Sequence, residues 1–193
     1  MKKLILASAS PRRKQLLQQI GLDFEILASN IDEKLNPRLK PLHQVESLSL
    51  QKAEATSLMK GANNAIILAA DSMVAVGDEI MGKPKDEKDA KRMLRKLSGT
   101  THSIVTGFTL LDTTTKKKVT KSVETKVWFK KLSPQEISAY VKTKEPFDKA
   151  GAYAIQEIGS IFVEKIEGDY QGAVGLPLFA VARELKKFGI KVL

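Results

Sequence analysis

The segment ILASASPRRKQLLQQIG, residues 5–21, carries a short apolar run, two serines, a proline and three cations into one turn. Leu4-Ile5-Leu6-Ala7 reads as a fully apolar strand, of the kind buried on both faces of an α/β sheet. Ser10 suits the N-cap of a following helix, because its hydroxyl can accept from an orphan amide of the first turn. Pro11 suits the first helical position, where no N–H is required. Leu16, Leu17 and Ile20 form the inward stripe, and Gly21 is placed to end the helix in the left-handed region. Arg12 and Arg13 stand against the positive end of the helix dipole, which disfavours an exposed cation by ~0.3–1 kcal/mol. An anion bound there reverses that sign, since amides, guanidinium forks and the hydroxyls of Ser8 and Ser10 all face it. Two readings are open at this point: a capped helix with solvated arginines, and the mouth of an anion site.

Outward from this turn, strands and helices alternate. A strand is expected at 24–28, a helix at about 42–59 and an apolar strand at 65–70. A helix at 86–97 has Ala90, Met93, Leu94 and Leu97 on one face. A strand pair at 102–111 and 119–129 follows. SPQE, residues 133–136, is a capping box opening a helix to about Lys142. A strand at 160–166 precedes a last helix with Leu178, Val181, Ala182, Leu185 and Phe188 inward. The uneven alternation predicts α/β with a mixed sheet in one domain, residues 1–193.

The bulk composition narrows the chemistry. The 193 residues contain no cysteine and two histidines, which excludes disulfides and thiolate metal sites and points to a reducing compartment, the cytoplasm. The basic N-terminus reads as the first strand, since its apolar run is too short for a leader, and no stretch reaches the roughly 20 apolar residues of a membrane span. Net charge is +10. The cluster TTTKKKVTK, residues 113–121, reads as a solvated hairpin turn, with no aromatic residues interleaved to stack bases. The charge therefore favours a small anionic ligand such as a phosphate ester over nucleic acid.

Several residues stand out of place. In IILAADSMVAVGDEIMGKPKDE, residues 66–87, an apolar strand runs into Asp71, and a carboxylate at a strand's C-terminal end is where open sheets hold ligand-binding groups. Lys83 lies on a stiff Gly-Lys-Pro turn. Lys52 lies near Val45, Leu48, Ala55 and Leu58 on one helix face, and either snorkels or reaches a buried anion. Glu33, next to Asp32, and Asp71 are oxygen donors of the type that hold Mg²⁺ or Mn²⁺. Gln156 ends EPFDKAGAYAIQ, residues 145–156, and its amide can donate and accept together. No P-loop and no G-x-G-x-x-G is present.

In order, SASPRR (8–13), AADS (69–72), GKP (82–84), LSGTTHSIVTG (97–107), EPFDKAGAYAIQ (145–156) and GDYQGAVGLPL (168–178) resemble the Maf family of nucleoside triphosphate pyrophosphatases, over nearly the whole chain. The resemblance implies a long bent mixed sheet with flanking helices, two lobes around a central cleft, and kinship with inosine triphosphate pyrophosphatases. It implies hydrolysis of dTTP and UTP to the monophosphate and pyrophosphate with a divalent cation, in a homodimer. By the same comparison Asp71 matches the proton acceptor, while Arg12, Ser72 and Gln156 match positions tied to base specificity. Ser72 stands where the dTTP/UTP branch often has threonine. Arg13, Lys52 and Lys83 are then expected to neutralise phosphate charge, with Ser8 and Ser10 at the mouth and Glu33 as second metal ligand. The other function class left open is a non-catalytic nucleotide- or DNA-binding regulator of septum formation and cell division.

Overall fold

The computed structural model describes residues 2–77 and 79–192. In chain order the elements are β1 (Lys3–Leu6), α1 (Pro11–Gln19), β2 (Glu25–Ile26), α2 (Pro41–Ser57), β3 (Ala65–Val76), β4 (Glu79–Met81) and α3 (Glu87–Leu97). Then come β5 (Thr101–Asp112), β6 (Lys118–Phe129), α4 (Pro134–Lys142), β7 (Val163–Glu167), α5 (Tyr170–Val174) and α6 (Leu178–Lys187). Short 3-10 turns occupy Glu145–Asp148, Ala150–Ala152 and Ile158–Phe162. One seven-stranded sheet has the order β2-β1-β3-β5-β6-β7, with β4 paired to β3. It is mixed: β1 runs parallel to β2 and β3, whereas β3–β4 and β6–β7 are antiparallel.

Contacts group the chain into two compact units, each assembled from separated stretches. The first comprises Met1–Asp71, Thr106–Val123 and Gly175–Leu193. The second comprises Ser72–Val105 and Glu124–Val174.

In the first unit, Ile5, Ala7, Ala53, Ala62, Ala65, Ile67, Ala69 and Leu111 form one buried cluster. The buried side of α2 carries Val45, Leu48, Ala53 and Thr56. Leu58 is almost wholly exposed, so the apolar face expected to include it is rotated toward Ala53. Gly107 of β5 explains how close α2 comes to the sheet: a Cβ there would lie 2.6 Å from the backbone carbonyl carbon and oxygen of Val45. On α6 the inward stripe is Leu178, Val181, Glu184 and Leu185, with Ala182 and Phe188 half-buried. Glu184 is tolerated inside because Lys121 and Lys187 reach it at 2.7 and 2.9 Å. Lys117 donates to the Lys187 carbonyl and Lys118 pairs with Glu54, so these lysines of the basic turn are engaged within the protein.

In the second unit, α3 starts at Asp86, whose side chain accepts from the Asp89 N–H, and ends on Gly99 at φ +67°. The capping box of Ser133 and Glu136 opens α4 as expected. Three expectations change. The strand expected at 24–28 narrows to two paired residues. That expected at 160–166 begins at Val163, behind a 3-10 turn. Most consequentially, the strand expected to end at Ala70 continues to Val76, because a hairpin with β4 extends its ladder.

Candidate active site

Ser8 lies just beyond β1, where the chain turns into α1. The parallel register Leu6↔Leu68 sets this turn beside the stretch of β3 that leads to Asp71. Ser10 takes the N-cap backbone conformation, but its hydroxyl makes no capping bond. The Ser8 Oγ serves the turn instead, accepting from the Ser10 N–H at 3.3 Å and from Arg13 Nη1 at 3.1 Å. With both acceptor positions so used, the Ser8 proton is left to donate. Arg13 also donates from Nε to the carbonyl of Gly175 at 2.9 Å, which fixes the guanidinium at two points. Burial lowers the pKa of Arg13, and the Asp71 and Glu33 carboxylates oppose that shift while Arg12 adds to it. Arg13 therefore sits in the field of both carboxylates.

Asp71 is buried within β3, not at a strand end. Lys52 of α2 turns its ammonium to two carboxylates of the protein itself. Nζ lies 2.5 Å from Asp71 Oδ1 and 3.1 Å from Glu33 Oε1, with the lysine side chain 16% exposed. Glu33 sits on a loop without regular structure, and Gln51 holds that loop to α2. Gln51 Oε1 accepts from the Lys34 N–H at 3.0 Å, and its Nε2 donates to the Lys34 carbonyl at 3.1 Å. Gln51 and Lys52 thus grip consecutive residues of the loop, Lys34 and Glu33. The roles of Gln51 and Gly175 were not legible in the sequence, because each acts through contacts of distant chain segments.

In the first unit the structure therefore gathers Ser8, Arg13, Glu33, Lys52 and Asp71, with Ser10 and Arg12 half-buried on the same helix start. In the second unit, Ser72 follows Asp71 on β3, and Lys83 is exposed on its turn. The Gly151 N–H donates to the Gly82 carbonyl at 3.0 Å, joining that turn to the segment leading to Gln156. Gln156 is exposed.

Two carboxylates converging on one ammonium form a pair of hard oxygen donors, and such a pair suits Mg²⁺ or Mn²⁺. Among the described residues no three or more of His, Cys, Asp and Glu form a cage.

The fold and this cluster define a mixed α/β protein with arginines at a helix N-terminus beside lysine-bridged carboxylates. The sequence matches the Maf-like protein family over residues 3–188, and the chain belongs to that family. It is 50% identical to the dTTP/UTP pyrophosphatase of Acetivibrio thermocellus, across 100% of this chain and 98% of that one. It is 47% identical to the dTTP/UTP pyrophosphatase of Alkaliphilus oremlandii, across all of both chains. Among solved structures, the Staphylococcus aureus Ham1 protein aligns with a TM-score of 0.46 and 16% identity, covering 66% of this chain and 72% of that one.

Proposed function

We propose that this chain hydrolyses dTTP and UTP to the monophosphate and pyrophosphate. Relatives about half identical over the full length carry that activity in their names. The observation that carries the mechanism is the buried Asp71 carboxylate held 2.5 Å from Lys52, in the field of Arg13.

Water attacks the α-phosphorus in line with the bond to the β-phosphate, and pyrophosphate leaves. Asp71 takes the proton that the attacking water loses. Arg13, held by Ser8 and Gly175, offers its guanidinium to phosphate oxygens as charge builds on them, and Lys52 and Lys83 add ammonium charge. Ser8 and Ser10 donate to phosphate at the helix start, and Arg12 adds charge there. Glu33 and Asp71 would hold the divalent cation, which supplies charge neutralisation of the phosphates. Ser72 and Gln156 act on the base, Gln156 by donating to a ring carbonyl and accepting from N3–H of uracil or thymine. The resemblance further supports a homodimer in the cytoplasm, and no helix among the described residues is long and apolar enough to cross a membrane.

Pyrophosphate release from dTTP and UTP by purified protein, with Mg²⁺ or Mn²⁺, tests the proposal. Nucleotide binding without release would instead favour the regulatory class. Light scattering tests the dimer.

A further inference from the structure

Gln156 presents an exposed side chain from a stretch that belongs to no helix or strand, so its position needs another source of rigidity. That source is Glu145. One oxygen, Oε1, accepts from the Tyr140 hydroxyl at 2.7 Å and from the Gly159 N–H at 3.0 Å. The other, Oε2, accepts from the Ile158 N–H at 3.0 Å. The buried Tyr140 hydroxyl in turn accepts from the Ala154 N–H at 3.3 Å. Gly159 is pressed so closely onto this pair that a Cβ there would lie 2.6 Å from the Tyr140 hydroxyl and 2.8 Å from the Ala154 carbonyl oxygen. Backbone amides on both sides of Gln156, at 154 and at 158–159, are thereby fixed by one Tyr–Glu unit.

The chemistry of the clamp is specific to a carboxylate. Three donors meet two oxygens, and an ionised carboxylate is acceptor-only with lone pairs to spare. A glutamine amide turned into the same place would point N–H at an N–H. Bonds to the charged acceptor are also stronger than neutral ones, which suits a stretch without a ladder of its own.

We infer that Glu145 is a positioning residue for base selection: its carboxylate sets the backbone that presents Gln156. The inference rests on the base-reading role proposed for Gln156. Glu145 touches no reacting atom in this scheme, so its loss acts on which base is accepted and spares the hydrolytic step.

The test measures kcat and KM for dTTP, UTP, CTP and GTP in Glu145→Ala, Tyr140→Phe, Gln156→Ala and the double variant Glu145→Ala/Gln156→Ala. Glu145→Ala is expected to raise KM for dTTP and UTP by about tenfold, with kcat within about twofold and CTP and GTP changed less. Tyr140→Phe, which keeps the ring and the packing, should shift the ratio of dTTP to CTP in the same direction by a smaller factor. In the Gln156→Ala background, adding Glu145→Ala should leave that ratio unchanged, because two residues acting through one group are not additive. Amide exchange at Ile158 and Gly159 gives a readout besides activity and should accelerate in Glu145→Ala. Should that variant fail to fold, Tyr140→Phe and its double with Gln156→Ala decide the question. If Gln156→Ala leaves the base ratio of the wild type untouched, the base-reading role falls and the inference with it. If Gln156→Ala changes the ratio but neither clamp variant does, the inference alone is overturned.

Discussion

The ammonium of Lys52 stands 2.5 Å from the carboxylate of Asp71, nineteen residues further along the chain and on a different element. A helix lysine and a strand aspartate, both largely out of solvent, define one electrostatic unit, and Glu33 joins it from a loop. Each member faces a partner of opposite charge at close range, so each can be tested by its removal.

Asp71→Asn keeps the size of the side chain but accepts a proton poorly and binds cations weakly. Turnover should fall by at least ~10²-fold, as for loss of a general base. The check is pyrophosphate release in a variant with an unchanged circular dichroism spectrum; near-normal activity there would remove Asp71 from the proposed mechanism.

Lys52→Met leaves Asp71 and Glu33 facing each other without their shared cation. Removing one partner of a largely buried pair destabilises by ~3 kcal/mol or more. Mg²⁺ should recover part of the loss, about 1.4 kcal/mol at tenfold its dissociation constant. Thermal scans with and without Mg²⁺ would show a larger metal-induced rise in Tm for Lys52→Met than for wild type. Equal rises in both proteins would detach the carboxylate pair from metal binding.

Gln156→Glu replaces the donor with a charged acceptor facing a base carbonyl. Because the side chain is exposed, stability should change by no more than about 0.5 kcal/mol. The value of kcat/KM for dTTP and UTP should drop strongly, and that for GTP should drop less. A common factor across dTTP, UTP and GTP would assign Gln156 to charge balance and not to the base.

His102 gives a pH dependence with a definite sign. Burial lowers its pKa to about 4 from the ordinary 6.5. Its ring packs edge-on to Phe129 and Tyr153, with Nε2 2.7 Å from the Tyr153 hydroxyl. Between those two values the unfolded chain binds the extra proton and the folded one does not. The stability present above pH 6.5 is therefore lost as the pH falls toward 4, by about 2 kcal/mol between pH 7.5 and 5.0. Urea titrations at these two pH values should show the difference in wild type and its absence in His102→Phe. An equal loss in the variant would move the effect to other groups.

The sequence carried much of the fold where local chemistry decides it. Pro11 and Gly21 bound α1, Asp86 caps α3, and Ser133 with Glu136 opens α4, all through contacts within a few residues. Elements shaped by distant partners were less legible. β3 runs past Asp71 because β4 pairs with it, and Leu58 lies outside because α2 turns its Ala53 side to the sheet. The site divides along the same line. Asp71, Lys52 and Glu33 were visible as charges in unusual places, but their convergence on one ammonium depends on Gln51 holding a loop without regular structure. The Ser10 hydroxyl does not make the expected cap; the side chain that bonds within this turn is Ser8, which accepts from the Ser10 amide and from Arg13.

The contact of Gly107 with the backbone of Val45 bears on how freely this site can change. Where two elements meet through side chains, a larger or smaller residue shifts one against the other by small steps. At position 107 the helix carrying Lys52 meets the strand with hydrogen alone between them, and no residue is smaller than glycine. The position is a stop and not a dial. Divergent descendants of this chain can retune the ammonium through the loop that brings Glu33, or through the residue at 52 itself. They have no way to draw the helix closer.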